Sequence, residues 1–313
     1  MSIPGFRRLL LRVFTKDGRL HPLWRACFYL MTYVAVTLVI QISVVFPYFF
    51  YKLILGASPT DIGRALLGGP SPSVVECVLI VLELLTALGI TYLFRRFLDR
   101  ASFVSLGFRR RNLGTDIAFG VLLGLVLMAG IFFAEWGSGL LIIERAAWNV
   151  EPLAVIMGNL VISLPFFIAV AVHEEVVFRG YLVSNLAEGM DKVVAVMVSS
   201  LVFGAFHVLN PHASLIAIVN IALAGVVFAY AYLSSGNLWL PIAFHFSWNF
   251  FQGPVFSLPV SGIVMRSPLV IHPRPGFDLI TGGAFGPEAG LSGFVALVLA
   301  WAGLGLWSRA RTT

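Results

Sequence analysis

The chain has 313 residues, 59% of them hydrophobic and only 12% charged, against roughly a quarter charged in an average soluble domain. Twenty-one Lys and Arg with fifteen Asp and Glu cannot cover a soluble protein of this length, so the composition is that of an integral membrane protein and excludes disorder and collagen-like repeats. Two cysteines, Cys27 and Cys77, both in apolar stretches, exclude a disulfide scaffold, and the net charge of +6 resides in clusters beside apolar runs without the interleaved aromatics of a nucleic-acid surface.

In chain order, residues 1–25 form a basic segment carrying Arg7, Arg8, Arg12, Lys16, Arg19 and Arg25. A bilayer core about 30 Å thick needs roughly 20 mostly apolar residues per helix. Windows of that length predict about eight spans, at 26–51, 74–94, 115–134, 152–186 with a polar interruption, 191–208, 213–233, 238–256 and 289–308. The first is too long for a signal-peptide core and reads as a retained helix. Pro- and Gly-rich stretches at 56–73 and 253–290 read as extramembrane loops. A cytoplasmic amino terminus places Arg95–Arg111, Glu188–Lys192, Ser234–Asn237, Arg309 and Arg311 on that same side, so both termini are expected in the cytoplasm. The expectation is an all-α, polytopic transmembrane bundle: one domain over 26–308, with a core at about 115–256.

Ionisable groups inside spans are costly and mark function. Here they concentrate in three segments: His173-Glu174-Glu175 with Arg179, Phe203 with His207, and His245 with Asn249. Glu175 and Arg179 are four apart and pair along one helix face, whereas Glu174 points about 100° away and lacks an intrahelical counter-ion. That isolation suits a general base. His245 and Asn249, also four apart, share a face, and Phe203 stands one turn before His207. At 1.5 Å per residue, Glu174, His207 and His245 lie about 18, 22 and 10 Å from the basic end, a spread that tilt absorbs. One intramembrane cavity reachable from the cytoplasm is expected.

These residues resemble the CPBP intramembrane proteases, the CAAX prenyl protease 2 or Rce1-like family that includes the Abi group. The pattern is Glu174-Glu175-x-x-x-Arg179, then Phe203-x-x-x-His207, then His245-x-x-x-Asn249, in order and with similar gaps. The resemblance covers mainly about 170–252 and implies hydrolysis of a peptide bond in a membrane-associated protein or peptide. It makes Glu174 the base that activates water, assisted by His207, with His245 and Asn249 stabilising the oxyanion and Glu175 and Arg179 in support. Amide hydrolysis needs a base for water and donors for the oxyanion, so the chemistry agrees. Glu174, His207 and His245 are also a set that zinc would use. No His-Glu-x-x-His stands here, since position 177 is valine, and a glutamate-activated water is preferred. The compact size resembles bacterial or archaeal members, which implies a cell membrane location.

The plain structural alternative for Glu175 is an ion pair with Arg179, but a pair leaves the second glutamate unexplained. His207 and His245 taken singly would be interhelical hydrogen-bonding residues, and Asn249 helix glue. His173 reads as a neighbour of the site. Glu83, with Glu76 two turns before it, either pairs with another helix or lines the cavity. Ser247 and Ser257 lack a nucleophile setting. Competing functions are a non-catalytic membrane scaffold or bacteriocin-immunity or regulatory partner on the same fold, and a transporter, which would show two related halves that are absent here. The expected partners are the lipid bilayer and a peptide or protein substrate, with no nucleic acid.

Overall fold

The computed structural model describes residues 14–67 and 72–311, so Arg7, Arg8 and Arg12 lie outside the described residues. A short antiparallel pair, β1 (Thr15–Lys16) and β2 (Arg19–Leu20), leads into helix α1 (Pro22–Ile54). That helix begins where Pro22 occupies a first-turn position that needs no N–H, and the His21 side chain accepts from the Leu23 amide. A short helix α2 (Pro59–Leu67) follows. Helix α3 (Val74–Leu98) opens with a capping box in which Ser73 and Glu76 satisfy each other's backbone amides. Then come α4 (Leu113–Gly137), α5 (Leu153–Leu186), α6 (Lys192–Phe206) and α7 (Leu215–Ser235). The last two are α8 (Trp239–Phe250), prolonged by a π-helical turn at Phe251–Val255, and α9 (Leu291–Ala310).

The protein is therefore nearly all-α and multi-pass, with six helices long and apolar enough to cross a membrane: α1, α3, α4, α5, α7 and α9. The other two expected spans are shorter. Helix α6 has 15 residues, about 22 Å, and stops at His207 as the chain approaches Asn210-Pro211, where the proline disfavours helix in the residue before it. Helix α8 has 12 residues before its winding widens, with Pro254 inside the wider turn. The predicted loops also hold structure. β3 (Leu141–Ala146) pairs antiparallel with β4 (Leu269–Pro273), from Leu141 opposite Pro273 to Ala146 opposite Leu269, with an irregularity between Ile143 and Arg145.

Among the described residues, Arg25, Arg95–Arg111 and Arg311 lie at one end of the bundle. Asp99, just after α3, is buried and accepts from Arg25, Arg95 and Asn185, while Arg25 also reaches Glu188. On the neighbouring side, Asp116 of α4 accepts from Arg311 at 2.7 Å and from Asn237 at 3.0 Å, and Asn237 donates to the carbonyls of Arg109 and Arg111. The β3–β4 pair and the rest of the 256–290 segment occupy the opposite end.

Close helix approach positions the site. Gly120 and Gly124 of α4 lie against α8, where a Cβ on Gly124 would sit 2.0 Å from Ser247 Oγ and 2.8 Å from the Trp248 nitrogen. Ser247 Oγ donates to the Gly120 carbonyl at 3.0 Å. The spacing is the small-xxx-small pattern by which membrane helices replace a missing hydrophobic drive with backbone proximity. Gly225 of α7 meets Ser200 of α6 in the same manner, with a contact of 2.9 Å. These two contacts set α8, with His245 and Asn249, and α6, with Phe203, at fixed depth.

Candidate active site

A cavity of about 330 Å³ lies within the bundle. Helix α5 supplies His173 and Glu174, the last turn of α6 supplies Phe203, and His207 follows that turn. Helix α8 supplies His245 and Asn249, and all six residues line the same space. The four residues expected to carry the chemistry, together with Phe203, are thus brought together. Glu175 and Arg179 stand behind this wall.

Winding changes at the motif. Helix α5 is α-helical through Glu175 and continues as a π-helical stretch, Val176–Val183, every residue of which is buried. Such wider turns are rare and gather at functional sites. Arg179 still reaches back to Glu175, with Nη1 to Oε1 at 2.8 Å and both side chains essentially buried. Its guanidinium lies over the Phe203 ring at 4.3 Å and the Phe228 ring at 5.1 Å, so aromatic quadrupoles supplement the single carboxylate.

Glu175 Oε1 also accepts from His245 Nδ1 at 2.9 Å. With Nδ1–H committed to that carboxylate, Nε2 is the ring atom left for chemistry, and it stands 3.7 Å from Glu174 Oε2. His245 further stacks on Phe228, centroids 4.7 Å apart at 18°. Its ring is therefore fixed on three sides. His207 is held likewise: Nδ1 donates to the Phe203 carbonyl at 2.8 Å, and its ring meets the Phe203 ring edge-on at 4.8 Å. Glu174 Oε2 is buried and has no hydrogen-bond partner, as is true of Glu175 Oε2 and Arg179 Nη2, but of these three residues only Glu174 lines the cavity. A buried acceptor left open in a polar cavity is an unusual expense of folding and a place where water or substrate binds.

The expected residues are not the whole lining. His173 is buried, donates or accepts through Nε2 with the Tyr33 hydroxyl at 2.7 Å, and leaves Nδ1 unpartnered. Glu83 lines the cavity, the second of the alternatives left by the sequence, and the partner it takes from another helix is the neutral amide of Gln41 in α1, which donates to it at 2.8 Å. Glu288, from the segment before α9, was missed. Its Oε2 accepts from the Ser261 amide at 2.6 Å and the Ser261 hydroxyl at 3.1 Å, and burial pushes its carboxyl above the ordinary range. An acid in a Gly- and Pro-rich loop gives no sign in sequence that it is folded inward. Tyr33 could have been noticed as a polar group four residues from Tyr29 within a span.

Glu76, Asn210, Ser261 and Ile263, from segments at the end opposite the basic loops, also line the cavity. Depth counted along helices gave heights for Glu174, His207 and His245 but not the side on which space is left. Toward the basic end that space is filled by Val176–Val183 and by fully buried Leu106, Leu238 and Leu240. A second, larger recess of about 750 Å³ beside the β3–β4 pair contains none of the motif residues.

Glu174, His207 and His245 do not form a ligand group of metal-holding geometry, and neither does any other set of three His, Cys, Asp or Glu among the described residues.

Residues 156–251 match the model of a protein family, described as type II CAAX prenyl endopeptidase Rce1-like. The matched segment spans α5 to the start of the π-turn after α8 and contains all three motifs, so the resemblance read from them is borne out. This family consists of membrane proteases, and the match supports a hydrolase without separating glutamate from metal-dependent chemistry. No curated protein and no solved structure matches the chain.

Proposed function

We propose that the chain is an intramembrane endopeptidase that hydrolyses a peptide bond of a membrane-associated protein or peptide, in the manner of CAAX processing, with water activated by Glu174. The observation that carries this reading is the open Oε2 of Glu174 in a cavity shared with His207, His245 and Asn249. Water bound at Glu174 gives its proton to that carboxylate as the oxygen adds to the substrate carbonyl carbon. His207, whose Nδ1 is tied to the backbone, presents Nε2 as a partner that orients the water. The oxyanion receives the Asn249 amide and, when protonated, His245 Nε2. As the C–N bond breaks, Glu174 returns the proton to the leaving amine. Glu175 and Arg179 act through His245, holding its ring by the Nδ1 hydrogen bond.

The test is mass-spectrometric detection of new termini in a library of membrane peptides, prenylated ones included, incubated with wild type or with Glu174→Gln. Cuts made only by wild type establish the activity and its sequence preference. Equal peptide patterns in both samples would sink it and favour a non-catalytic scaffold.

A further inference from the structure

We propose that His173 is a substrate-binding residue whose Nδ1–H, held in that tautomer by the Tyr33 hydroxyl of α1, donates to the backbone carbonyl of the residue next to the scissile bond. The substrate role rests on the peptidase reading above, whereas the tautomer rests on hydrogen bonding alone. Neither residue belongs to the three motifs, and Tyr33 lies outside the segment that matches the family model.

Three histidines line the cavity. His207 and His245 are held at Nδ1, by the Phe203 carbonyl and the Glu175 carboxylate, which leaves Nε2 of each for chemistry. His173 is held the other way round. Its Nε2 meets the Tyr33 hydroxyl at 2.7 Å, its Nδ1 has no partner, and the residue is only 8% exposed. Tyr33 is buried as well, and Thr37 Oγ1, one turn further along α1, stands near its hydroxyl without a hydrogen bond to any group. A buried hydroxyl proton needs an acceptor. Nε2 supplies it, so the proton of the neutral ring sits on Nδ1. The result is a buried donor in the wall of a polar cavity, satisfied only when a ligand accepts from it.

Helix geometry fixes what that donor faces. At 100° per residue, His173 and Glu175 project to opposite sides of Glu174. The Glu175 side carries His245, which the mechanism assigns to the oxyanion, and the His173 side carries Tyr33. Successive residues of an extended polypeptide face opposite ways. A chain laid across Glu174 with its scissile carbonyl toward His245 and Asn249 therefore turns the neighbouring carbonyl toward His173. Phe166 and Val170, on the same face of α5 as His173, also line the cavity. His173 is thus the polar group at the end of an apolar stripe, an arrangement that fixes the register of a bound ligand.

Two measurements test this. The tautomer is read from the nitrogen-15 chemical shifts of protein labelled at histidine, with the His173 signals identified by their loss in His173→Asn. Protonation at Nδ1 is expected, and protonation at Nε2 overturns the proposal. The binding role is read from KM and kcat on a peptide cleaved in the library test. His173→Leu should raise KM about tenfold with kcat within about twofold of wild type, the pattern of an interaction lost equally from ground and transition states. His173→Asn keeps an amide donor close to the place of Nδ1 and should recover most of the affinity. Tyr33→Phe should raise KM about threefold and add nothing to His173→Leu, because Tyr33 acts only through His173. An unchanged KM in His173→Leu, a loss confined to kcat, or equal KM values for the leucine and asparagine variants would overturn the proposal. Should the leucine variant fail to fold, an unchanged KM in Tyr33→Phe overturns it. If wild type and Glu174→Gln give the same termini, the peptidase reading has failed and the substrate role falls with it, while the tautomer measurement still decides the Tyr33–His173 pair.

Discussion

Two carboxylates, Asp99 buried at the basic end and Glu174 half-buried in the cavity, are treated in opposite ways by the same fold. Asp99 accepts from Arg25, Arg95 and Asn185, and at 3.4 Å from the Tyr181 hydroxyl. Glu174 has an oxygen with no hydrogen-bond partner, and His245 Nε2 stands 3.7 Å from it. A saturated carboxylate in low dielectric rigidifies whatever it binds, while an open one retains capacity for a ligand at the expense of stability. The first therefore ties three segments of chain into one end, and the second is left available at the other.

The strongest way to break this comparison is to neutralise each acid in turn. Glu174→Gln keeps the shape of the side chain and should lower cleavage by about 10²- to 10⁴-fold, the usual contribution of a general base. Its thermal midpoint in detergent should match that of wild type. Asp99→Asn should do the reverse, because it strands two buried guanidinium groups, and breaking a buried pair costs roughly 3–5 kcal/mol. Specific activity of the protein that still folds should be unchanged. A Glu174→Gln protein that unfolds, or an Asp99→Asn protein that is stable but inactive, would reverse the assignment.

The Glu175–Arg179 pair lies between these extremes, and a cycle of substitutions separates its two roles. Arg179→Met leaves Glu175 buried without its cation and should lower folding yield markedly. Glu175→Met combined with Arg179→Met should regain much of that yield, since apolar replacements of a buried pair are often neutral or stabilising. Cleavage should stay low in the double variant because His245 has lost the acceptor for Nδ1. Recovery of both yield and cleavage would reduce the pair to a structural tie.

A smaller effect is expected where the helices merely meet. Gly124→Val should destabilise by about 1–3 kcal/mol, as overpacking does, and Gly130→Val, where nothing lies within 4 Å of a Cβ, should leave the thermal midpoint unmoved. Equal midpoints for the two would mean that α4 and α8 are not in close contact.

Much of this was legible in the sequence because it is local. Long apolar runs announced the spans, and residues four apart announced Glu175 with Arg179 and His245 with Asn249, since both patterns are written within a single helix. Relations between distant segments were not legible. Glu83 was visible as an intramembrane acid, but its partner Gln41 lies on another helix. The meeting of β3 with β4 joins strands more than a hundred residues apart, and the stretch holding Glu288 reads as an ordinary loop. Helical rise gave the depth of Glu174, His207 and His245, whereas the direction of the cavity depends on which side chains fill the space beneath them.

Glu288 offers the finest adjustment of the comparison, because it is a cavity carboxylate with some partners but no cation. Burial raises its folded value above the ordinary 4.5, so folding favours its protonated form. The sign follows from linkage: this contribution is fully present below the unfolded value and is lost as pH rises through the folded one. Glu288→Gln keeps an oxygen that accepts from the Ser261 amide and does not titrate. Wild type should therefore lose thermal stability relative to Glu288→Gln as pH rises from about 4.5 toward neutrality. The comparison isolates one group, since every other titrating residue is common to both proteins. Parallel curves of thermal midpoint against pH would mean that the Ser261 hydrogen bonds fully offset burial, placing Glu288 with Asp99 among the saturated carboxylates rather than beside Glu174.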